Sequence, residues 1–182
     1  MEVWRGLGLP RPPSGSKIYS QLQVGKRPAP AARGLARLNT LIAMGAGMRI
    51  KRIAHIGLAV KDVDQAAQVF TGMLPLSLDS KDAVGELLTG FIPVGETNLE
   101  LVMSTTEEGV MNKHIAKRGE GVHHIAFEVD DVFAACQELK DKGVPLTSQE
   151  PYDGAHGAKV LFIHPKVTHG VLIELCQYPE QH

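Results

Sequence analysis

The chain contains two copies of one short pattern, separated by a constant offset of 69 residues. The first copy is the run HIGLAVKDV at residues 55–63, and the second is HIAFEVDDV at residues 124–132. Histidine, isoleucine, valine, aspartate and valine occupy matching positions, and Ala66 then aligns with Ala135. A constant offset of this kind indicates a duplicated structural unit, so we expect the chain to fold as two similar modules.

Each copy predicts the same order of secondary structure. An apolar run rich in β-branched residues predicts a strand, and Asp62 or Asp131 then stands where a helix needs its N-cap. Apolar residues at helical spacing follow, and Gly143 marks the end of the second helix. Strand-like runs come after the helices, at residues 76–78, 86–94 and 97–103 in the first copy and at 144–147, 159–164 and 170–177 in the second. The predicted fold class is α+β, with two paired βαβββ modules at about residues 50–104 and 120–179.

Residues 1–49 differ in composition from the rest of the chain. They hold eight Lys and Arg residues against one acid, contain five of the eleven prolines, and show no helical or strand period. We therefore expect a disordered N-terminal extension outside the core, which spans residues 50–179.

Two explanations compete for this extension. An Arg-rich, acid-poor leader is typical of a transit peptide, whereas a true start at Met44 or Met48 would leave the upstream residues without a structural role. Scattered arginines between prolines argue against a third explanation, a nucleic-acid-binding arm. We expect a cytoplasmic protein, or a protein of the mitochondrial matrix if residues 1–49 include a transit peptide.

Composition excludes several classes of protein. The 182 residues are 43% hydrophobic and 21% charged, with a formal net charge of −1, which is typical of a globular domain. A nucleic-acid binder would need a basic surface, and no apolar run approaches the roughly 18 residues that span a bilayer. Neither nucleic acid nor a membrane is therefore an expected partner.

Cys136 and Cys176 lack metal-ligand spacing, and we expect two buried free thiols.

Four polar residues recur within apolar strands of the repeat. A histidine lies near the start of each first strand, His55 and His124, and a glutamate lies in each last strand, Glu100 and Glu174. A carboxylate in a run such as VLIEL is costly to bury unless it is paired or binds a cation. If the modules pack about a pseudo-twofold axis, two imidazole nitrogens and two carboxylate oxygens converge. This donor set suits one divalent metal ion, such as Co, Mn, Ni, Fe or Zn.

Two further histidines lie close to this set in the chain. Strand alternation directs the side chain of His123 to the face opposite His124, so His123 is not expected to be a ligand. His114 lies in the run MNKHIAKR, which predicts a solvent-exposed helix face and no role at the metal.

The four ligands and three short motifs together resemble the methylmalonyl-CoA epimerases of the vicinal oxygen chelate superfamily. The motifs are GAHG at 154–157, HPK at 164–166 and GVLIEL at 170–175, after GEGVHHIAFEVDD at 119–131. The resemblance covers about residues 50–179. It implies a half-open barrel around the metal, a homodimer, and an acyl-CoA substrate, the thioester of a branched dicarboxylic acid. The implied reaction interconverts (2R)- and (2S)-methylmalonyl-CoA by proton abstraction at C2 through a metal-stabilised enolate.

The resemblance leaves the proton acceptor open. Some epimerases carry a glutamate at a position that aligns here with Thr89, and Glu86 lies three residues earlier. Glu174 is a second candidate if it can leave the metal, by analogy with the related lactoylglutathione lyases. Glu128, on the same strand as His124, is a third candidate, although a solvated strand-end acid would look the same.

Substrate contacts are expected from the GAHG loop and the segment that follows it. Gly154 and Gly157 offer backbone amides, His156 lies between them, and Lys166 offers a point charge for an anion. The same loop is also typical of a tight surface turn.

Other functions share the fold that the resemblance implies. A lactoylglutathione lyase-type isomerase uses the same ligand frame, whereas an extradiol dioxygenase typically uses two histidines and one carboxylate on iron. A non-catalytic small-molecule-binding protein of the antibiotic-sequestering type needs no metal, and the four intact ligands argue against it.

Overall fold

A computed structural model describes residues 47–180, and eight strands in this part form one continuous sheet. In chain order the strands are β1 (Ile50–Ala59), β2 (Ser80–Val84), β3 (Leu87–Val94), β4 (Thr97–Ser104), β5 (Gly121–Val129), β6 (Tyr152–Asp153), β7 (Lys159–Ile163) and β8 (Leu172–Gln177). The helices of the same part are α1 (Val63–Met73), α2 (Val110–Arg118) and α3 (Val132–Asp141). Short 3-10 turns lie at Ala155–Gly157 and Pro165–Val167.

The predicted N-terminal extension falls almost entirely outside the described residues, which begin at residue 47. Within residues 47–180, no helix is long and apolar enough to cross a bilayer.

The strand order reproduces the duplication that the sequence predicts. From one edge to the other the sheet runs β2-β3-β4-β1-β5-β8-β7-β6. β1 pairs in parallel with β4, and β5 pairs in parallel with β8, so each module closes its first strand on its last. β1 and β5 pair antiparallel at the centre and join the modules edge to edge. The prediction of an α+β fold built from two βαβββ modules is confirmed.

The helix of each module begins at the predicted cap. Asp62 accepts a hydrogen bond from the Gln65 amide at the start of α1. Asp131 accepts hydrogen bonds from the Phe133 and Ala134 amides in the first turn of α3, and Gly143 follows that helix with a φ of 68°. Because these caps satisfy amides that lack a partner inside the helix, each helix starts at a fixed residue and turns a defined face to the sheet.

The apolar stripes of α1 and α3 cover equivalent parts of the sheet. Under α1 the buried core contains Val60, Val63, Ala67, Ile92 and Leu101. Under α3 it contains Val129, Val132, Ala135, Cys136, Leu139, Leu161 and Leu175. Both cysteines are free thiols and are buried.

Two strands lie elsewhere than predicted. The sequence predicts strands at 76–78 and 144–147, whereas the strands after the helices are β2 and the very short β6. Leu76 and Leu78 instead pack as irregular chain against the core under α1. Leu146 packs against the core under α3 and forms a single isolated β-bridge with Ile163. β2 and β6 are the outer strands of the sheet, where much of each strand faces solvent, so polar segments can form them.

A β-bulge interrupts the pairing of β1 with β5. Gly57 pairs with His124 and the next residue, Leu58, pairs with Val122, so His123 is an extra residue on β5. A bulge re-aims the side chain of its extra residue. Strand alternation therefore fails as a guide to the direction of the His123 ring.

Candidate metal centre

Four side chains meet where the two modules join. β1 supplies His55, β4 supplies Glu100, β5 supplies His124 and β8 supplies Glu174. These strands are the four central strands of the sheet, because each module pairs its first strand with its last. All four residues are between 4% and 6% exposed, so their polar atoms are nearly removed from water.

Three of the four residues, His55, His124 and Glu174, offer ligand atoms that all lie within 4.8 Å of one another, and Glu100 contacts both histidines. His55 Nε2 lies 3.1 Å from His124 Nε2, 3.3 Å from Glu100 Oε2 and 3.5 Å from Glu174 Oε2. His124 Nε2 lies 3.4 Å from Glu100 Oε2 and 3.1 Å from Glu174 Oε2. Bonds of about 2.0–2.2 Å to one ion would hold neighbouring ligand atoms about 3.0–3.6 Å apart. The observed separations fall in that range.

The electrostatics of the cluster also suit a cation. Burial alone would lower the pKa of His124, but hydrogen bonds to Glu100 and Glu174 outweigh it and raise that pKa. Burial alone would raise the pKa of Glu174, but hydrogen bonds from His124 and His55 lower it. Two carboxylates held so far from water need positive charge beside them. Two imidazoles and two carboxylates form a mixed nitrogen and oxygen donor set that fits a divalent transition metal.

The outer nitrogens of both histidines have partners that the sequence did not identify. His124 Nδ1 lies 3.0 Å from His123 Nδ1, and His55 Nδ1 lies 3.5 Å from Tyr178 Oη. Burial raises the pKa of Tyr178, so its hydroxyl stays neutral. Burial and the charge of His124 lower the pKa of His123 to about 4. The adjacent histidines at 123 and 124 were the available sequence signal, and no local pattern pointed to Tyr178.

A cavity of about 300 Å³ opens beside the four residues. Its walls are mostly apolar and include Val84, Leu87, Val102, Met111, Phe162 and Leu172. Thr89, Tyr152, Tyr178 and His123 add polar atoms to the lining. An organic molecule in this cavity would therefore meet apolar walls and reach the polar cluster at one place.

The carboxylates suggested as proton acceptors lie in different surroundings. Glu86 is exposed and accepts hydrogen bonds from Val110 N at 2.9 Å and Thr106 Oγ1 at 3.0 Å, which lower its pKa. Glu128 forms ion pairs with Arg52 at 2.7 Å and Lys51 at 3.1 Å.

Neither Glu86 nor Glu128 is part of the cavity lining, whereas Glu174 and Glu100 are. Thr89 lines the cavity as well, and its hydroxyl donates to the carbonyl of Asp82. Of the three suggested proton acceptors, Glu174 is the one that the structure brings to the cavity.

The GAHG loop contributes to the cavity wall, but two of its amides donate hydrogen bonds to other groups of the protein. Gly154 lines the cavity, and its N–H donates to Ala158 O at 2.8 Å. The N–H of His156 donates to Asp82 Oδ2 at 2.7 Å, and its ring lies 4.1 Å from the Phe91 ring, centroid to centroid. These contacts connect β2 and β3 of the first module to the second module.

Of the other residues that the sequence analysis considered, Gly157 and Lys166 lie outside the cavity lining, whereas His123 contacts His124 and His114 contacts His123. Gly157 lies outside the cavity lining with a φ of 70°, and Lys166 is exposed in the second 3-10 turn. His114 does not lie on a fully solvated face: it is half-buried, and its ring meets the His123 ring edge-on at 4.7 Å between centroids. The prediction that His123 points away from His124 is wrong, because the bulge turns its ring to the cavity.

Comparisons with known proteins point to one group. Residues 54–162 match the family model of the Glyoxalase/Bleomycin resistance protein/Dioxygenase superfamily. The mitochondrial methylmalonyl-CoA epimerase of Homo sapiens is 32% identical over 164 residues, which cover 88% of this chain and 92% of that protein. The ethylmalonyl-CoA/methylmalonyl-CoA epimerase of Cereibacter sphaeroides is 37% identical over 132 residues, with 70% and 98% covered.

A solved structure agrees with these relatives. It is the Streptomyces coelicolor methylmalonyl-CoA epimerase in complex with 2-nitronate-propionyl-CoA, at 33% identity and a TM-score of 0.68. The match covers 71% of this chain and 96% of that one.

Proposed function

The chain belongs to the Glyoxalase/Bleomycin resistance protein/Dioxygenase superfamily and, within it, to the methylmalonyl-CoA epimerases, and on that premise we propose that it interconverts (2R)- and (2S)-methylmalonyl-CoA. The observation that carries this proposal is the meeting of His55, Glu100, His124 and Glu174 beside an apolar cavity. The 2-nitronate-propionyl-CoA in the structure of the Streptomyces coelicolor relative supports an acyl-CoA as the substrate class.

The proposal assigns the four clustered side chains as the ligands of one divalent ion, either Co, Mn, Ni, Fe or Zn. His55, His124 and Glu174 offer ligand atoms that all lie within 4.8 Å of one another, and Glu100 Oε2 lies within 3.4 Å of both histidines. A bound cation supplies the positive charge that stabilises an enolate oxygen. The chain itself supplies the fixed geometry, because the ligands come from four adjacent strands.

Glu174 is the residue that we assign to the C2 proton. Its carboxylate lines the cavity, and the charge of a bound divalent ion would keep it ionised, as a proton acceptor must be. To accept the C2 proton, Glu174 leaves the ion, and the other three residues continue to hold it. Glu86 accepts a hydrogen bond from Val110 N at the start of α2, and Glu128 forms an ion pair with Arg52, so we give neither carboxylate a role at the substrate.

The cavity walls support the binding of the acyl group. Apolar side chains such as Val102, Met111 and Phe162 exclude water around the reacting carbon, which strengthens electrostatic interactions there. Gly154 contributes to this wall through its backbone. The proposal gives Lys166 no contact with the acyl group, because it lies outside the lining. The implied homodimer belongs to the same proposal, and sedimentation of the full chain tests it.

The test uses one epimer of methylmalonyl-CoA in deuterated water with the full chain loaded with Co²⁺. We expect deuterium to enter at C2 and the centre to invert, and we expect His55→Ala to abolish both. His169→Asn is the matched control, because it removes an exposed histidine whose φ of 55° suits asparagine. The absence of both exchange and inversion would refute the proposal. Turnover of the glutathione adduct of methylglyoxal in its place would favour the lactoylglutathione lyase alternative.

A further inference from the structure

The β-bulge on β5 places a residue from outside the four-residue cluster next to one of the clustered histidines. His123 is the extra residue of that bulge and lies directly before His124 in the chain. A regular strand would point the His123 side chain to the opposite face of the sheet. The bulge instead brings its ring beside the ring of His124, with the ring centroids 5.2 Å apart and the planes at 89°.

In the contact between the two rings, Nδ1 of His123 faces Nδ1 of His124. His124 Nε2 faces the other three clustered residues, at 3.1 Å from His55 Nε2 and 3.1 Å from Glu174 Oε2. His124 Nδ1 therefore faces outward, and it lies 3.0 Å from His123 Nδ1. A neutral imidazole that binds a metal through Nε2 carries its proton on Nδ1 and needs an acceptor there. The lone pair of His123 Nδ1 is in position to be that acceptor.

We propose that His123 is a positioning residue that fixes the ring orientation and tautomer of His124 by accepting a hydrogen bond from His124 Nδ1–H. His123 then carries its own proton on Nε2. The ring of His114 on α2 packs edge-on against it, so the helix between the modules helps to hold the acceptor in place. This inference rests on the proposed metal site, since His124 needs a fixed tautomer only if it is a ligand.

The test measures the affinity of the full chain for Co²⁺ by calorimetry in the wild type and in two variants. His123→Phe keeps an aromatic ring against His114 but removes the acceptor, and we expect the affinity to fall by about 10- to 100-fold. His123→Asn places an amide oxygen near the position of Nδ1, and we expect it to restore most of the loss. His169→Asn is the control for the removal of one histidine and should bind Co²⁺ as the wild type does. The melting temperature of each metal-free variant reports whether the fold is intact.

Long-range proton–nitrogen spectra of the wild-type chain loaded with Zn²⁺ provide a measurement that needs no variant. We expect a proton on Nδ1 of His124 and on Nε2 of His123. A metal bond at His124 Nδ1, unchanged affinity in His123→Phe, or equal losses in the Phe and Asn variants would each overturn the inference while leaving the metal site standing. A wild-type chain that binds no Co²⁺ would overturn the metal site and this inference together.

Discussion

Each module supplies one histidine and one glutamate to the proposed metal site, from its first and its last strand, but the surroundings of these residues differ between the modules. In module 2, the second copy of the repeat, His123 meets the outer nitrogen of His124 at 3.0 Å. In module 1, the first copy, the outer nitrogen of His55 is met at 3.5 Å by Tyr178, which lies after β8 of module 2. The side chains that contact the outer nitrogens of both histidines therefore come from the second copy. The histidine and the glutamate are the same in both copies, whereas the residues around them differ.

Both modules have a bulge in the first strand, and the residue in the bulge differs between them. On β1, Ile53 pairs with Phe127 and His55 pairs with Ala126, so Ala54 is an extra residue in the same way as His123. Ala54 and His123 are also equivalent in the repeat, one residue before each ligand histidine. The same backbone irregularity thus occurs in both copies, one residue before the equivalent histidine. A methyl group cannot accept a hydrogen bond, so His55 takes its partner from Tyr178 instead.

The largest expected effect comes from exchanging the glutamates of the two modules for glutamine. Both variants keep an oxygen that can bind a metal, but glutamine cannot accept the C2 proton. We expect Glu174→Gln at saturating Co²⁺ to lose about 10²- to 10⁴-fold in C2 exchange, the usual contribution of a general base. Glu100→Gln should lose much less. Deuterium incorporation followed by NMR measures both rates, and equal losses would show that the two modules do not differ in their role at the proton.

The next effect tests whether the ion is shared by the modules. Binding to the folded chain alone stabilises it by about 2.7 kcal/mol when free Co²⁺ is 100 times its Kd. We expect this gain in wild-type unfolding by urea, and we expect both His55→Ala and His124→Ala to lose it at the same concentration. The chelated wild-type chain provides the baseline. A gain that survives one of the two substitutions would mean that a single module holds the ion.

Much of this arrangement could be predicted from the sequence, because each residue of one copy can be compared with its equivalent in the other copy. A lone buried histidine says little about its role, but His55 and His124 at one offset, each with a glutamate in the last strand of its copy, predicted that four side chains would meet. The helix caps at Asp62 and Asp131 were predictable for a local reason, since a cap is decided within one turn of helix.

The features that were missed depend on contacts distant in the chain. Whether a strand bulges depends on its register with a partner, so the direction of His123 is set by β1 and not by β5 alone. Tyr178 reaches His55 across 123 residues of chain. The strand β2 was placed too early because Leu76 and Leu78 look like a strand, whereas their apolar side chains are needed under α1. The sequence of β2 is mostly polar and lacks a clear alternation of apolar and polar residues, so the apolar run at 76–78 gave the stronger strand signal.

The cores of the two modules differ at one paired position, which gives a prediction of intermediate size. Gly90 pairs with Leu101 on β4, and the equivalent place on β7 is held by Leu161, which pairs with Leu175. A Cβ atom on Gly90 would lie 2.7 Å from Val63 Cγ1.

We therefore expect Gly90→Leu, which copies module 2 into module 1, to lower the free energy of unfolding by about 1–3 kcal/mol through overpacking. Denaturation by urea measures the change. Gly72→Ala is the control, because nothing lies within 4 Å of the added Cβ and the helix gains a better former. Wild-type stability in Gly90→Leu would mean that the space under α1 can accept the larger core of module 2.

The smallest expected effect concerns the turns between the second and third strands of each module. In module 2 this turn is the GAHG loop, which reaches Asp82. In module 1 Glu86 occupies the turn and caps α2, whose own N-cap is a glycine without a side-chain acceptor. Glutamine can keep one hydrogen bond to Val110 N but loses the negative charge at the helix N-terminus. We expect Glu86→Gln to lower the melting temperature slightly at neutral pH, relative to an exposed control, Glu107→Gln.

The pH dependence of that small difference identifies its cause. Hydrogen bonds from Val110 N and Thr106 Oγ1 lower the pKa of folded Glu86 below its ordinary 4.5. A lowered carboxyl pKa stabilises the fold fully above the unfolded value, and the contribution is lost as the pH falls through the folded value. The gap in melting temperature between wild type and Glu86→Gln should therefore be full at pH 7 and shrink below about pH 4.5. A gap that stays constant into acid would show that the two turns differ in shape alone and that the charge of Glu86 adds nothing to α2.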